Sequence, residues 1–459
     1  MKKLRTSNRN LALCRGSRRL WVLLIALALV ATTIRHPGVA SARPVSSENL
    51  VVLQPEGAPT LPGTFQVVSN ANGNQYNPHV DCDFASYTFD DFQGSSTIHY
   101  QNLSTGADNV IPGNQIDLLS DVSGSHIAFT QIEFTGNTIV VFDTVTQTST
   151  VVPGTGRSNP SIGANLVAFE DRSSLTVNQS EVGTYDISSG TVTLLTSDPM
   201  DNRNTSVSPS GNALVWEKCQ LNESGCDVYA AVQTSPGVFS STALAVGGGQ
   251  NRQPHTDGQL AVYVSNRSGE NDIYYQPLTG GTETHLAIPG DQRDPTISGN
   301  LIAFESQGQN GYDIFVYDIR SSRLYQVTNT GSANIPIDET LSELSVCNGL
   351  GRIVYDIPGN DFDVQAFTFQ VPSTTEDSLN NLLAVLNSFN LPPGNANSLI
   401  VKLQDALAAN SASDTATICS DLTDFINQCQ AQAGKKLTAD QSNQLISLAT
   451  QIKGELGCQ

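Results

Sequence analysis

Lysine is nearly absent beyond residue 42: only Lys218, Lys402, Lys435, Lys436 and Lys453 remain. The first 42 residues hold eight of the 23 bases and no acid, so the rest of the chain sets 43 acids against 15 bases, a balance of −28. A surface this acidic excludes nucleic acid, polyanionic glycans and anionic membranes as bulk partners. Aromatics are sparse at 7%. There is no G-x-S-x-G elbow, no HExxH, no CxxC zinc spacing and no Lys-bearing phosphate loop; Gly247-Gly248-Gly249 lacks both the lysine and the following helix. These gaps remove serine-hydrolase, zincin, zinc-finger and P-loop chemistry. What the chain does have is Gly, Ser, Thr, Asn and Pro, the composition of short strands joined by turns.

Residues 1–42 read as a secretory signal peptide. A basic head (Lys2 to Arg19) precedes a short apolar run, Leu20 to Ala31, and a small-residue exit, Ala40-Ser41-Ala42. Ser17-Arg18-Arg19 hints at twin-arginine export, with general secretion the simpler route. The run is too short to cross a bilayer, and no second apolar stretch occurs downstream. The mature chain is therefore expected outside the cytoplasm, secreted, in the envelope or in the periplasm, without membrane insertion.

Residues 64–372, after a linker at 43–63, are built on a repeat. An apolar-small-aromatic triplet recurs: Ala85-Ser86-Tyr87, Ile127-Ala128-Phe129, Val167-Ala168-Phe169, Leu214-Val215-Trp216, Ala261-Val262-Tyr263, Ile302-Ala303-Phe304 and Ile353-Val354-Tyr355. Each unit offers four short strands, the size of a propeller blade. A lone blade cannot bury both faces, so blades stack radially and the aromatic wedges between them. The last unit supplies only three strands. The missing outer one reads as Thr64-Phe65-Gln66-Val67-Val68, which closes the ring on residues 363–371. The fold expected is mainly β: a seven-bladed β-propeller, or six-bladed if two triplets merge, closed by the N-terminal strand and followed by a small all-α bundle.

Gly290 to Gly299, Ile302-Ala303-Phe304-Glu305 and Asp313 to Asp318, with Asn251-Arg252-Gln253-Pro254 and Asp272-Ile273-Tyr274, resemble the TolB-like (WD40-like) propeller repeat. The resemblance implies an interaction platform, with some enzymatic relatives. Asp227, Asp272, Asp313 and Asp363 fit its recurring Asp, expected to tie down hairpin amides. Residues 373–459 are too few to hold an α/β-hydrolase domain, so a peptidase of the propeller-plus-hydrolase kind is excluded.

Residues 373–459 change period. Leucine stripes at helical spacing, the breaker Pro392-Pro393-Gly394 and a capping box from Thr438 to Gln441 describe four helices in a bundle. Leu422 to Asn427, Gly434-Lys435-Lys436-Leu437-Thr438 and Leu456-Gly457-Cys458 resemble a FIMAH-type domain, a module of secreted and surface bacterial proteins.

Cys14 leaves with the signal peptide. In an oxidising compartment Cys219 and Cys226 flank one hairpin tip, Cys82 and Cys347 occupy matching turns of the first and seventh units, and Cys419 and Cys458 staple the tail. Cys429 is left on an apolar stripe as a buried thiol.

Two sets of candidate site residues stand out. Arg157, Arg203, Arg252 and Arg293 each precede the first strand of units three to six and would form a positive crescent on one face. Guanidinium forks grip carboxylates, so the crescent is read as binding an acidic group of a protein or peptide partner. The competing reading pairs each with a neighbouring acid such as Asp201, Asp291 or Asp294. His79 and His255 sit at equivalent places beside Pro78 and Pro254 and could share a metal with channel carboxylates, as in propeller-type polysaccharide lyases. No cofactor is required by any motif. Calcium is left open by Asp81-Cys82-Asp83, Asp90-Asp91 and Asp361-Phe362-Asp363, none with EF-hand spacing. The expectation is a secreted, non-catalytic binding or scaffold protein. The alternatives are a carbohydrate-active propeller enzyme and a cell-surface structural or adhesion component. Oligomeric state is not legible.

Overall fold

The structure is a computed structural model that describes residues 48–458, apart from 114–115, 174–178, 222–224, 309–310, 330–339, 359–360 and 390. The signal-peptide reading of 1–42 lies outside the described residues.

Seven antiparallel sheets succeed one another along the chain: 74–110, 116–151, 157–194, 201–245, 251–287, 292–326 and 340–370, here blades 1 to 7. In every blade the strands add in chain order. The triplet aromatics are all interior, from Phe169 at 0% to Phe129 and Trp216 at 2% exposed, which makes them core rather than binding residues. There is no single core. Apolar side chains of each blade meet those of the next in separate wedges: Ile98 and Tyr100 against Ile127 and Phe129, Ala168 and Val182 against Leu214 and Trp216, Ile273 and Leu286 against Ile297 and Phe304.

The ring closes as the missing strand predicts. Strand β2 (Gly63–Ser69) pairs antiparallel with the last strand of blade 7 (Phe362–Gln370), with Phe65 opposite Phe367. The segment read as a linker is also structured. Strand β1 (Asn49–Val52) adds in parallel to the outer strand of blade 5, Asn49 opposite Thr284. Leu61 N–H then donates to Gln326 of blade 6 at 2.8 Å before β2 reaches blade 7. One N-terminal strap thus lashes three successive blades, and its own Leu53 and Leu61 are buried against them.

All three expected cysteine pairs are bonded: Cys82–Cys347, Cys219–Cys226 and Cys419–Cys458. The first joins blades 1 and 7 at the inner end of the seam that β2 closes outside. Cys429 is buried and free.

Four helices complete the chain: α1 (Thr375–Ser388), α2 (Pro393–Ser411), α3 (Thr415–Gln432) and α4 (Ala439–Glu455). Pro393 opens α2, where its missing N–H costs nothing. Thr438 and Gln441 form the expected capping box, and Thr374 with Asp377 forms a second on α1. The bundle has its own core around Leu382, Leu403, Leu422, Phe425 and Leu445. Arg320 of blade 6 donates to Asp377 Oδ2 and to the Pro372 carbonyl, each at 2.8 Å, and so pins the start of α1. Among the described residues no helix is long and apolar enough to cross a membrane.

Candidate functional site

The first strand of each blade is an edge facing the channel, and each carries a register shift near its middle: Tyr76/His79, Leu118/Asp121, Ser158/Ser161, Arg203/Ser206, Arg252/His255, Arg293/Thr296 and Leu341/Glu343. In blades 1 to 6 a residue inside the bulge takes left-handed backbone, from Asp294 at φ 49° to Leu119 at φ 54°. Asn and Asp tolerate that conformation best, which fits Asn77, Asn159 and Asn204. Proline is harmless on such an edge, hence Pro78, Pro160, Pro254 and Pro295 beside the bulge.

The bulge places one residue per blade at an equivalent position: His79, Asp121, Ser161, Ser206, His255, Thr296 and Glu343. Six of these accept a backbone N–H from the next blade. Asp121 accepts Ile162 (2.8 Å), Ser161 accepts Val207 (3.0 Å), Ser206 accepts Thr256 (3.3 Å), His255 Nδ1 accepts Ile297 (3.2 Å), Thr296 accepts Leu344 (3.3 Å) and Glu343 accepts Val80 (2.9 Å). His79 is the exception. Its Nδ1 lies 3.2 Å from Glu343 Oε2 and 3.5 Å from Asp121 Oδ1. His255 reaches the other Glu343 oxygen, Nε2 to Oε1, at 3.7 Å. The two histidines named from sequence are therefore brought to one carboxylate, Glu343, which sequence reasoning missed.

The electrostatics of this cluster stem from burial and sign. Burial alone would lower the His79 pKa, but Asp121, Glu343 and Asp356 overcome it and raise it to about 9. Burial would raise Glu343, yet hydrogen bonds from His255 and His79 hold it below the usual carboxylate range. Asp121 is pushed up by burial against the pull of His79. Asp356 is pushed up to about 7, again by burial, with His79 opposing. A cavity of about 200 Å³ lies beside these residues, lined also by Ser161, Ser206 and Asn159.

A second tier of ties runs between the second strand of one blade and the bulge of the next. Thr88 accepts the N–H of Leu119 (3.2 Å), Thr130 that of Asn159 (3.0 Å), Glu170 that of Asn204 (3.2 Å) and Glu217 that of Gln253 (2.8 Å), while Glu305 accepts that of Leu341. Blade 5 breaks the series, because Val264 occupies the corresponding position. There the Gln253 side chain accepts the Asp294 N–H instead, at 3.1 Å.

The arginines belong to this tier. They lie within the first strands, not in the loops before them: Arg157 opens its strand, and Arg203, Arg252 and Arg293 stand two or three residues in. Arg157 is buried, pairs with Asp171 at 2.9 Å and lies over Phe169, away from the others. Arg203 pairs with Glu217 at 3.3 Å and Asp201 at 3.4 Å. Arg293 pairs with Glu305 and Asp294. The crescent of four is thus a trio, and two of that trio are tied to acids, largely as the competing reading has it. Arg252 stands opposite Val264 and has no carboxylate partner among the described residues; its Nε donates to Gln250 at 3.1 Å. Arg203, Arg252 and Arg293 line one cavity of about 510 Å³ with Glu217, Val264 and six amide side chains, Gln250 and Asn266 among them.

The acidic loops are turn-makers in part. Asp90 accepts the Phe92 N–H at 3.0 Å, Asp91 that of Gln93 at 2.7 Å, and Asp361 that of Gly73 at 3.3 Å. Of the recurring aspartates, Asp227 accepts Gly247 N–H at 2.8 Å, in the connection to the next blade and not at its own hairpin tip. Asp272 holds His285 at 2.9 Å.

No protein-family model and no curated protein matches the chain. Solved structures similar to it are propellers. The β-propeller domain of the Trilobed protease from Pyrococcus furiosus is 12% identical, with 66% of this chain and 97% of that one covered, at a TM-score of 0.49. TolB from Acinetobacter baumannii is 16% identical over 60% of this chain and 77% of that one, at 0.36. A prolyl endopeptidase is 12% identical over 68% of this chain, at 0.48, and the match spans about half (51%) of its length. The chain is a seven-bladed propeller followed by four helices, and its structural neighbours include TolB proteins and the propeller domains of peptidases.

Proposed function

We propose that the protein is an exported, non-catalytic binding protein whose propeller face captures an acidic group on a protein or peptide partner. The observation that carries this reading is Arg252. Its neighbours in blades 4 and 6 face Glu217 and Glu305, whereas Arg252 faces Val264 across the strand pair and opens into a cavity lined mostly by amides and by the paired Arg203, Glu217 and Arg293. A guanidinium there has free donors for a carboxylate from outside, and the amides supply the remaining donors and acceptors. The loops between second and third strands border the same face and carry exposed apolar tips, Phe92 at 56%, Phe134 at 108% and Leu221 at 51%, which suits a polypeptide more than a small ion. Three disulfides support an oxidising location.

Selection of a displayed peptide library on the wild-type chain tests the reading. Sequences rich in Asp, Glu or a free C-terminal carboxylate are expected, and Arg252→Gln should lose them by tenfold or more. Enrichment without carboxylates, or enrichment indifferent to Arg252→Gln, overturns it. The alternative of a carbohydrate-active enzyme draws its support from the His79–Glu343 cluster, and glycan cleavage abolished by His79→Gln would establish it.

A further inference from the structure

The channel cluster carries a function independent of the partner reading. We propose that His79, Asp121 and Glu343 form a site for one divalent cation of the zinc–manganese class.

Geometry is the first ground. The three donor atoms come from equivalent bulge positions in blades 1, 2 and 7, and all lie within 4.8 Å of one another. Nδ1 of His79 stands 3.2 Å and 3.5 Å from its two carboxylate neighbours. A tetrahedral metal with bonds of about 2.0–2.1 Å separates its ligands by about 3.3–3.4 Å, so these edges are those of a first coordination shell. The second ground is the donor set. Asp121, Glu343 and Asp356 crowd the His79 imidazole, His255 reaches only Glu343 among these acids, and the Asp356 Oδ1 atom is buried without a partner. Acid groups outnumber imidazoles there, an arrangement a dication satisfies.

The supporting shell is already in place. The backbone amides of Ile162 and Val122 fix both oxygens of Asp121, at 2.8 and 2.7 Å, and Val80 N–H fixes Glu343 at 2.9 Å. His255 takes a different role from the one its sequence position suggests. Its Nδ1 accepts the Ile297 N–H, so the remaining proton sits on Nε2, which faces Glu343 and cannot ligate. His255 orients a ligand, as an outer-shell donor does. The cation takes the Nδ1 lone pair of His79, and the proton held there passes to solvent. Three protein donors leave a position open to water in the adjoining cavity. A mixed nitrogen–oxygen set of three suits zinc or manganese; calcium requires six to eight oxygens.

The test is calorimetric titration of the EDTA-treated full chain with ZnCl₂ and with MnCl₂, followed by elemental analysis after gel filtration. One equivalent is expected with Kd below 100 µM. Both Glu343→Gln and Asp121→Asn keep the side-chain shape; the first keeps an oxygen for the Val80 N–H, and the second an oxygen for one of its two backbone amides. Each should weaken binding at least tenfold while the far-UV spectrum and melting profile remain those of a folded propeller. His99→Gln removes a histidine–carboxylate pair elsewhere in blade 1 and should leave stoichiometry and affinity unchanged. No uptake at 1 mM metal, or uptake insensitive to both carboxamide variants, overturns the proposal.

Discussion

Blades 4 and 6 differ from blade 5 at one pair of facing positions. In the first two, an arginine on the inner strand meets a glutamate on the second strand, and that glutamate also accepts a backbone N–H from the following blade. In blade 5 the arginine is kept and the glutamate is Val264. The glutamate does two jobs in blades 4 and 6, engaging the guanidinium and tying blade to blade. Blade 5 delegates the tie to Gln253 and leaves the guanidinium to the cavity. A repeat protein states its structural rule several times, so a departure that preserves the fold, with Val264 joining the apolar wedge instead, marks an arginine released from the tie.

The harshest way to break the comparison is to remove the glutamate where it is still working. Glu305 is fully buried, bound to Arg293 and to the Leu341 N–H. Glu305→Ala removes the buried partner of Arg293 and leaves the Leu341 amide without its acceptor, and a loss of about 3 kcal/mol in denaturant unfolding is expected. Glu217→Ala should behave alike.

The same residue gives the comparison a pH dependence. Burial, and then the Asp294 charge, push Glu305 up to about 8, against Arg293 and the Leu341 N–H. A carboxyl whose folded pKa exceeds its unfolded value holds more protons in the folded state. Its contribution is therefore present below about pH 4.5 and lost as pH rises toward 8. Melting temperature should fall across that interval in the wild type and fall less in Glu305→Gln. Equal slopes would show that Glu305 is ionised throughout.

Arginine removal sharpens the contrast at smaller amplitude. Arg203→Gln and Arg293→Gln deprive buried glutamates of their guanidinium partner and should cost about 1–2 kcal/mol. Arg252→Gln deprives none and should fall within about 0.5 kcal/mol of wild type. Three similar losses would place all three arginines in the structural tier.

Much of this architecture was legible because repetition makes it so. The seven aromatics, the closing strand and the Cys82–Cys347 pair emerge from aligning units on their triplets, since each wedge must be filled in the same way. Two features were hidden. Strand β1 pairs in parallel with a strand more than 200 residues away, and no local pattern announces such a partner. Glu343 was hidden by the bulge. In blades 1, 3, 5 and 6 a proline immediately precedes the channel residue, so His79, Ser161, His255 and Thr296 can be found by aligning on that proline. Asp121, Ser206 and Glu343 come after Ser120, Thr205 and Ser342, and only the register shift reveals their equivalence. The arginines were legible as a set, but their fate depended on the facing strand. That partner is fixed by register, which spacing along one strand does not reveal.

The most informative change for the comparison reverses the exchange in blade 5. Val264→Glu writes the rule of blades 4 and 6 into blade 5. The new carboxylate faces Arg252 across the strand pair, at a position where Glu217 and Glu305 are accommodated in neighbouring blades. Val264 is buried in the apolar wedge with blade 6, so the pairing offsets the exchange only in part, and a loss of about 1–2 kcal/mol is expected. Capture of carboxylate-bearing peptides should nevertheless fall at least tenfold, because the guanidinium is now occupied from within. Adding Arg252→Gln to this variant should change capture no further, since both substitutions remove the same free fork. If Val264→Glu binds acidic peptides as the wild type does, the exception in blade 5 is only a tolerated variation of the repeat, and the cavity beside it has no claim on an acidic partner.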